Sequence, residues 1–318
     1  MRWGPVLAAG GSQVIVDEVG VNRGKRDVLA DTFTEHDPDV FVTVDSDTIL
    51  APDAIAEIVV PFADPTVMAA TGVVLAANWR RNLLTRLIDV RYANAFLFER
   101  AAYSRLGSVL CCCGSLSAYR AEVVRAHVDD FVNQMFLGAR QSFGDDRRLT
   151  NYALQHGRVV SQETARASTY VPERLSHYVR QQVRWNKSFF RESLWAVTRL
   201  PARSPAMWLS LLELVTWVVF TGVLCIALVV RPLEAGAAVL GSWMLFAALM
   251  SWARSVRYFD ARPAEPLKIR LAVFALAPLY GLLHVVLLLP LRLWSLATLR
   301  DNGWGTRTDG AEVAATGL

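Results

Sequence analysis

Two pairs of aspartates carry the first chemical suggestion. Asp45-Ser46-Asp47 follows the run Asp39-Val40-Phe41-Val42-Thr43-Val44, whose β-branched content predicts a buried strand. Ligands of open α/β sheets sit outside the carboxyl ends of strands. The two carboxylates therefore fall where a diphosphate-bound Mg2+ or Mn2+ would be held. Such an ion takes a few carboxylate oxygens and keeps positions open for phosphate. Asp47 is the expected metal ligand, and Asp45 supports nucleotide or metal. The competing reading is a solvated loop, the usual setting of an isolated Asp-x-Asp.

Asp145-Asp146 offers different chemistry. An acceptor hydroxyl has a high pKa and must lose its proton as it attacks an anomeric carbon, and a positioned carboxylate can take that proton. The same pair also reads as the acidic start of a helix, neutralised by Arg147 and Arg148. The pair alone does not choose between them. In Gln181-Gln182-Val183-Arg184-Trp185, Arg184 can neutralise a leaving diphosphate and Trp185 can floor a sugar, with Gln181 on the same pocket edge. Interfacial Arg/Trp anchoring explains that segment equally well. Asn22-Arg23-Gly24-Lys25-Arg26 joins a glycine turn to cations, and Lys25 and Arg26 suit a diphosphate. Taken alone it is a basic surface loop. The five histidines show no metal spacing, and no Gly-x-Ser-x-Gly or Cys/His nucleophile stands out.

These residues need elements to hold them. Val14-Ile15-Val16 is a short β-type run, and a helix is expected from about Asp27. Asp53 opens another helix through about Phe62, residues 67–75 form a strand, and residues 83–106 form a long helix. Strands alternating with helices predict an α/β domain with a mainly parallel sheet. Residues 174–198 interleave apolar side chains with Arg180, Arg184, Lys187 and Arg191, the pattern of amphipathic helices lying in a membrane interface, the competing reading being a surface helix of the soluble domain.

Composition agrees with a membrane-attached enzyme. Of 318 residues, 53% are hydrophobic, and mean hydropathy is +0.28. The excess lies in 207–299, whereas residues 1–200 read as a mixed soluble domain. Spans are expected at 207–230 and 233–253, each long enough to cross a bilayer, with a turn at Arg231-Pro232. Arg254, Arg257, Arg262, Lys268 and Arg270 then make the following loop cytosolic. Residues 271–299 are apolar but broken by Pro278, Pro290 and Arg292, which suits either a third span or a re-entrant or interface-lying segment. The net charge of +4 is accounted for by these juxtamembrane arginines rather than by nucleic acid. Cys111, Cys112, Cys113 and Cys225 form no metal or disulfide pattern, so a reduced, cytosol-facing domain is expected.

Taken together, Val44-Asp45-Ser46-Asp47-Thr48, the stretch Gly144-Asp145-Asp146-Arg147-Arg148-Leu149-Thr150, Gln181-Gln182-Val183-Arg184-Trp185-Asn186-Lys187-Ser188-Phe189-Phe190 and Trp304-Gly305-Thr306-Arg307 resemble the hyaluronan synthases. Those are processive, inverting membrane glycosyltransferases with a GT-A fold. The resemblance runs from about residue 22 to 307. It implies a cytosolic GT-A domain over 1–173, interfacial helices over 174–206, a membrane region over 207–299 and a cytosolic tail over 300–318, in a multi-pass protein of the cell membrane.

The same resemblance implies UDP-GlcNAc and UDP-GlcA as substrates, a growing polysaccharide as product and Mg2+ or Mn2+ as cofactor. Asp146 would be the base with Asp145 beside it, and Asp47 the metal ligand. Asp45 would help hold the UDP-sugar. Gln181, Arg184 and Trp185 would bind diphosphate and floor the acceptor, while Trp304 and Arg307 would belong to a gating loop. Cys113-Gly114-Ser115-Leu116 would be the acceptor-side loop. Family members more often read Ser-Gly-Pro-Leu there, which leaves acceptor preference open, with chitin-type synthesis from UDP-GlcNAc alone as the alternative. The family also begins with membrane spans and a Tyr-Asn-Glu strand. No such sequence precedes Val14, so part of the uridine pocket is expected to be missing and the chain to be weak or inactive by itself.

Overall fold

The computed structural model describes residues 23–236 and 238–301. The run at 14–16 and the residues Trp304 and Arg307 lie outside the described residues.

Among the described residues seven strands form: β1 (Val40–Thr43), β2 (Thr48–Leu50), β3 (Val67–Ala76), β4 (Ser117–Arg120), β5 (Met135–Phe136), β6 (Ala139–Arg140) and β7 (Arg158–Thr169). Five of them make one sheet in the order β1-β4-β3-β7-β2, while β5 and β6 make a short hairpin. Helices α1 (Lys25–Glu35), α2 (Ala54–Val59), α3 (Leu83–Ala93), α4 (Asp145–His156) and α5 (Leu175–Arg199) pack around the sheet. As expected, α3 continues through a wide turn at Asn94–Arg100 into Ala101–Arg105.

The expected mainly parallel sheet is corrected to a mixed one. Parallel pairing is confined to β3–β7 and an isolated bridge from Ser108 to Val159 among the described residues, while β1–β4, β3–β4 and β2–β7 are antiparallel. Alternation of strand and helix reveals the layers, but direction depends on where each connection lands. The turn 44–47 is far too short for a crossover helix, yet it carries the chain from one edge strand to the other. Strands β1, β3 and β7 still share a direction, and Thr48 at the start of β2 pairs with Thr169 at the end of β7. The Asp45-Asp47 turn therefore lies along the carboxyl ends of those three strands.

Side chains alternate across the sheet, so β3 feeds two cores. Ala70, Val73 and Val74, on either side of a register irregularity after Thr71, join the cluster that holds Ile58 of α2, Ile88 of α3 and Leu97 of the wide turn. Ala69 faces the other side, where Phe33 of α1, Tyr119 of β4 and Tyr152 of α4 are buried. That second core fixes α1 and α4, the two helices whose first turns reach the aspartates.

Among the described residues, three helices are long and apolar enough to cross a membrane: Pro205–Ala235, Ala238–Ala261 and Leu267–Ala297. The first continues past the expected Arg231-Pro232 turn and stops at Gly236, whose φ of 84° suits glycine. Pro232 is tolerated because a wide turn at Ile226–Val230 precedes it and it sits in the first turn of the segment that follows. Arg254 and Arg257, expected in the following loop, instead lie in the last turns of the second helix, and with Arg262 just beyond it they reach acids of the preceding domain. Arg254 pairs with Glu99, Arg257 with Glu163 at 2.8 Å, and Arg262 with the fully buried Asp89 at 2.7 Å.

The third segment and the residues flanking it touch the same domain at several points. Glu265 pairs with Arg80 at 2.5 Å, and the Tyr280 hydroxyl accepts from Arg91 at 2.9 Å. Arg292 donates to Asn186 at 3.2 Å. At its end, Arg191 donates to the Leu299 carbonyl at 3.1 Å and Lys187 to the Asp301 carbonyl at 3.2 Å.

Candidate active site

Asp45 and Asp47 leave the end of β1 on a tight turn, with Thr48 N donating back to the Asp45 carbonyl at 3.0 Å. Thr169 at the end of β7 donates to Asp47 Oδ1 at 3.2 Å. Burial, and then the neighbouring Asp45 charge, push the Asp47 carboxyl above its usual range. Asp45 is ion-paired with Lys25 of α1. Burial opposes the Lys25 charge, but Asp146 and Asp45 together outweigh it and hold the ammonium pKa above normal.

Helix α4 begins at Gly144, whose φ of 97° favours glycine. A Cβ there would also come within 2.7 Å of the Ser188 hydroxyl on α5. This close approach seats the first turn of α4 directly on α5. The two aspartates of that turn then part company. Asp145 turns inward and pairs with Arg26 at 2.6 Å, both side chains about 5% exposed. Asp146 turns to the pocket, where its Oδ2 accepts from Gly114 N at 3.2 Å. Burial raises the Asp146 pKa, Lys25 opposes that, and Asp45 and Asp145 add to it.

The loop 111–114 closes one wall. Cys112 N donates to Thr150 Oγ1 at 2.8 Å and Cys113 N to Thr71 Oγ1 at 3.2 Å. Burial pushes the Cys113 thiol up to about 12, so it stays neutral at physiological pH. Gly114 is needed for closeness: a Cβ would lie 3.1 Å from Asp45 Oδ2 and 3.2 Å from Lys25 Nζ. Ser115 donates weakly to Asp45 at 3.5 Å. On α5, Gln181 and Arg184 are buried while Trp185 is 40% exposed. The Tyr92 ring of α3 lies 6.4 Å from the indole.

The structure thus brings together Lys25, Asp45, Gly114 and Asp146, with Asp47 on the same turn as Asp45. Arg26, expected on a diphosphate, is instead committed to Asp145, Gln141 O at 3.1 Å and Phe143 O. Nor do Arg147 and Arg148 neutralise the aspartates. Arg148 makes a forked bridge to the buried Glu192 at 2.8 and 3.2 Å, and Arg147 lies over the Phe189 ring. Sequence reasoning missed Thr169, Ser188 and Glu192. Each meets its partner only across the tertiary fold, and although Ser188 lies in the Gln181 to Phe190 stretch, nothing local marks it as the neighbour of Gly144.

The donor set fits a metal shared with phosphate. Asp45, Asp47 and Asp146 confront Lys25, leaving local negative charge that a divalent cation would balance. Among the described residues no three His, Cys, Asp or Glu side chains converge on one point. An all-protein cage is not required, because Mg2+-type sites use one or two carboxylates and complete the shell with substrate phosphates and water.

Three kinds of likeness accompany this geometry. The family described as glycosyltransferase like family 2 matches residues 8–188. A hyaluronan synthase from Streptococcus pyogenes is 44% identical over 295 residues, covering 92% of this chain and 68% of that protein. An N-acetylglucosaminyltransferase from Sinorhizobium fredii is 36% identical over 302 residues, covering 92% and 69%. Among solved structures, a mannosyltransferase from Pyrobaculum calidifontis in complex with GDP-Man and Mn2+ superposes with a TM-score of 0.51 at 19% identity. It covers 90% of this chain and 67% of that one. This last likeness speaks to the fold, which is GT-A.

Proposed function

The chain belongs to glycosyltransferase family 2 as a homologue of the hyaluronan synthases, and from that premise we propose that it polymerises hyaluronan by inverting transfer from UDP-GlcNAc and UDP-GlcA. The observation that carries the chemistry is the division of labour between two adjacent acids. Arg26 removes Asp145 into the interior, while Asp146 faces the pocket with a raised pKa. A carboxylate with a raised pKa is a better proton acceptor. The acceptor oxygen bonds to the anomeric carbon, its proton passes to Asp146, and the bond from that carbon to the diphosphate oxygen breaks.

Asp47, supported by Asp45, would hold Mg2+ or Mn2+, which supplies charge neutralisation for the diphosphate. Lys25 and Arg184 add positive charge on the leaving-group side, and Gln181 lines the same edge. Trp185 presents an exposed apolar face to the acceptor, beside the turn of Cys113 and Gly114. Trp304 and Arg307, outside the described residues, would by the resemblance belong to a loop closing over the nucleotide.

The product would leave across the membrane beside α5. The third apolar segment stays with the catalytic domain at both ends, supported by its contacts with Arg80 and Arg191. In this reading the tail and the glycosyltransferase domain would share the cytosolic side of the cell membrane.

A second reading is supported by the N-acetylglucosaminyltransferase relatives: a chitin-type oligomer made from UDP-GlcNAc alone. Membranes given both labelled UDP-sugars separate the two. Hyaluronan synthesis predicts labelled product that needs both sugars and is digested by hyaluronidase. Product that forms from UDP-GlcNAc alone and is cut by chitinase would sink it.

A further inference from the structure

Behind the acceptor floor, three arginines from three separate elements come together without acids of their own. Arg147 follows Asp146 on α4, Arg91 precedes Tyr92 on α3, and Arg292 lies in the third apolar segment. Their contacts are neutral. Arg91 donates to the Tyr280 hydroxyl at 2.9 Å and Arg292 to Asn186 Oδ1 at 3.2 Å. The Arg147 and Arg292 guanidinium groups each lie 5.2 Å from the Phe189 ring centre. Arg91 and Arg147 are both within electrostatic reach of Arg292.

Among the described residues, none of the three has a carboxylate within ion-pair distance. Glu213 is the acid in their neighbourhood, and Tyr103 donates to it at 3.2 Å. All three side chains keep part of their surface open. A cationic strip in apolar surroundings is costly unless an anion completes it, and ionisable residues in a membrane segment mark a ligand path.

The strip's position identifies the anion. Each cation is one step from the acceptor floor. Arg147 adjoins Asp146, Arg292 holds the residue after Trp185, and Arg91 adjoins Tyr92, which packs near Trp185. A helix turns ~100° per residue, so Arg147 points away from the pocket that Asp146 serves. Guanidinium groups match carboxylates with two parallel hydrogen bonds, and the nearby rings suit the apolar faces of sugars.

We propose that Arg91, Arg147 and Arg292 form a binding site for the carboxylates of a uronate-bearing glycan as it leaves the acceptor position. This rests on the glycosyltransferase reading above and deepens it, because a neutral polymer of N-acetylglucosamine offers the strip no partner.

The test uses the full chain in detergent, with hyaluronan oligosaccharides of one length and the same oligosaccharides with every carboxyl reduced to an alcohol. The acidic form binds ~10-fold or more tightly than the reduced form, as charge-assisted pairing predicts, and added salt narrows the gap. Arg91→Gln and Arg292→Gln each lower the preference, while Arg292→Lys retains most of it. Equal binding of the two forms by the unaltered protein overturns the proposal. So does a Gln variant that loses both forms alike. If Arg292→Gln fails to fold, the unaltered protein and Arg292→Lys still decide. Displacement of the acidic oligosaccharide by neutral chito-oligosaccharide, or protection of the strip by phosphatidylglycerol vesicles but not by oligosaccharide, also overturns it. Product analysis with hyaluronidase and chitinase tests the parent reading separately, because the binding comparison needs no turnover.

Discussion

The backbone N–H of Gly114 donates to Asp146 Oδ2 at 3.2 Å, while one helical turn further on Thr150 Oγ1 accepts from Cys112 N at 2.8 Å. Two positions four apart on α4 thus grip one loop, since such positions share a helix face. The pocket acid and the wall beside it are set by the same helix.

Asp145 and Asp146 should respond to the same substitution in opposite ways. Asp146→Asn lowers the transfer rate by ~10²–10⁴-fold, the usual contribution of a positioned base, and leaves the protein folded. Asp145→Asn strips a buried guanidinium of its counter-ion and costs about 3–5 kcal/mol of stability. Sugar transfer and thermal unfolding, measured on both variants, check the pair. Comparable activity in Asp146→Asn and the parent would remove Asp146 from the role of base.

Acid pH should suppress transfer at values above the ordinary carboxylate range. Asp146 and Asp47 both have raised pKa values in the fold. Each therefore binds its proton more readily folded than unfolded, so its stabilising effect is complete below the unfolded pKa and is lost as pH rises through the folded value. The sign gives an unusual outcome for Asp146→Asn: the neutral variant melts higher than the parent at neutral pH, and the difference shrinks as pH falls. Melting curves across pH 4–8 read this directly, and an unchanged gap throughout would contradict it.

Gly144→Ala combines a strained φ with a 2.7 Å approach to Ser188 Oγ. It should cost about 1–3 kcal/mol and disturb the seat of Asp146, reducing transfer as well. Adding Ser188→Ala relieves the contact but not the backbone strain, so it recovers only part of the melting temperature. Full recovery would place the whole effect in the side-chain contact.

Chelation should abolish transfer, and Mn2+ or Mg2+ should restore it. Asp47→Asn raises the metal concentration for half-maximal rate by ~10-fold or more, taking a lost charge-assisted contact as worth about 1.5–3 kcal/mol. Thr169→Val moves it in the same direction by less. Titration of both ions against UDP release measures the shift, and an unshifted Asp47→Asn curve would remove Asp47 from the metal site.

The side of the membrane on which the tail lies can be read with a thiol reagent. In a Cys225→Ser background, Thr308→Cys should resist a membrane-impermeant reagent in intact cells and react after the cells are opened. Labelling in intact cells would mean that the third segment crosses completely.

Much of the active-site frame is legible from local sequence. Val40 to Thr43 announce a strand, and Asp45-Ser46-Asp47 has nowhere to lie but at its carboxyl end. The directions of β2 and β4 are not legible, because alternation of elements says nothing about which neighbour a strand joins. Arg26 misleads for a related reason. It belongs to the same basic run as Lys25, but on a helix successive side chains diverge, so one reaches Asp45 and the other Asp145. The Arg148–Glu192 bridge is written in residues 44 apart, with no local pattern linking them. Gly236, rather than Pro232, ends the first apolar helix because the wide turn at Ile226–Val230 lets the chain absorb the proline.

The third apolar segment is fastened to the domain near its start, at its middle and at its end. Such a segment acts as a splint. The domain cannot tilt against it without breaking Glu265–Arg80 at one end or Arg191–Leu299 at the other. Movement within the site is then left to side chains and short loops, while the domain and the segment stay in one fixed relation.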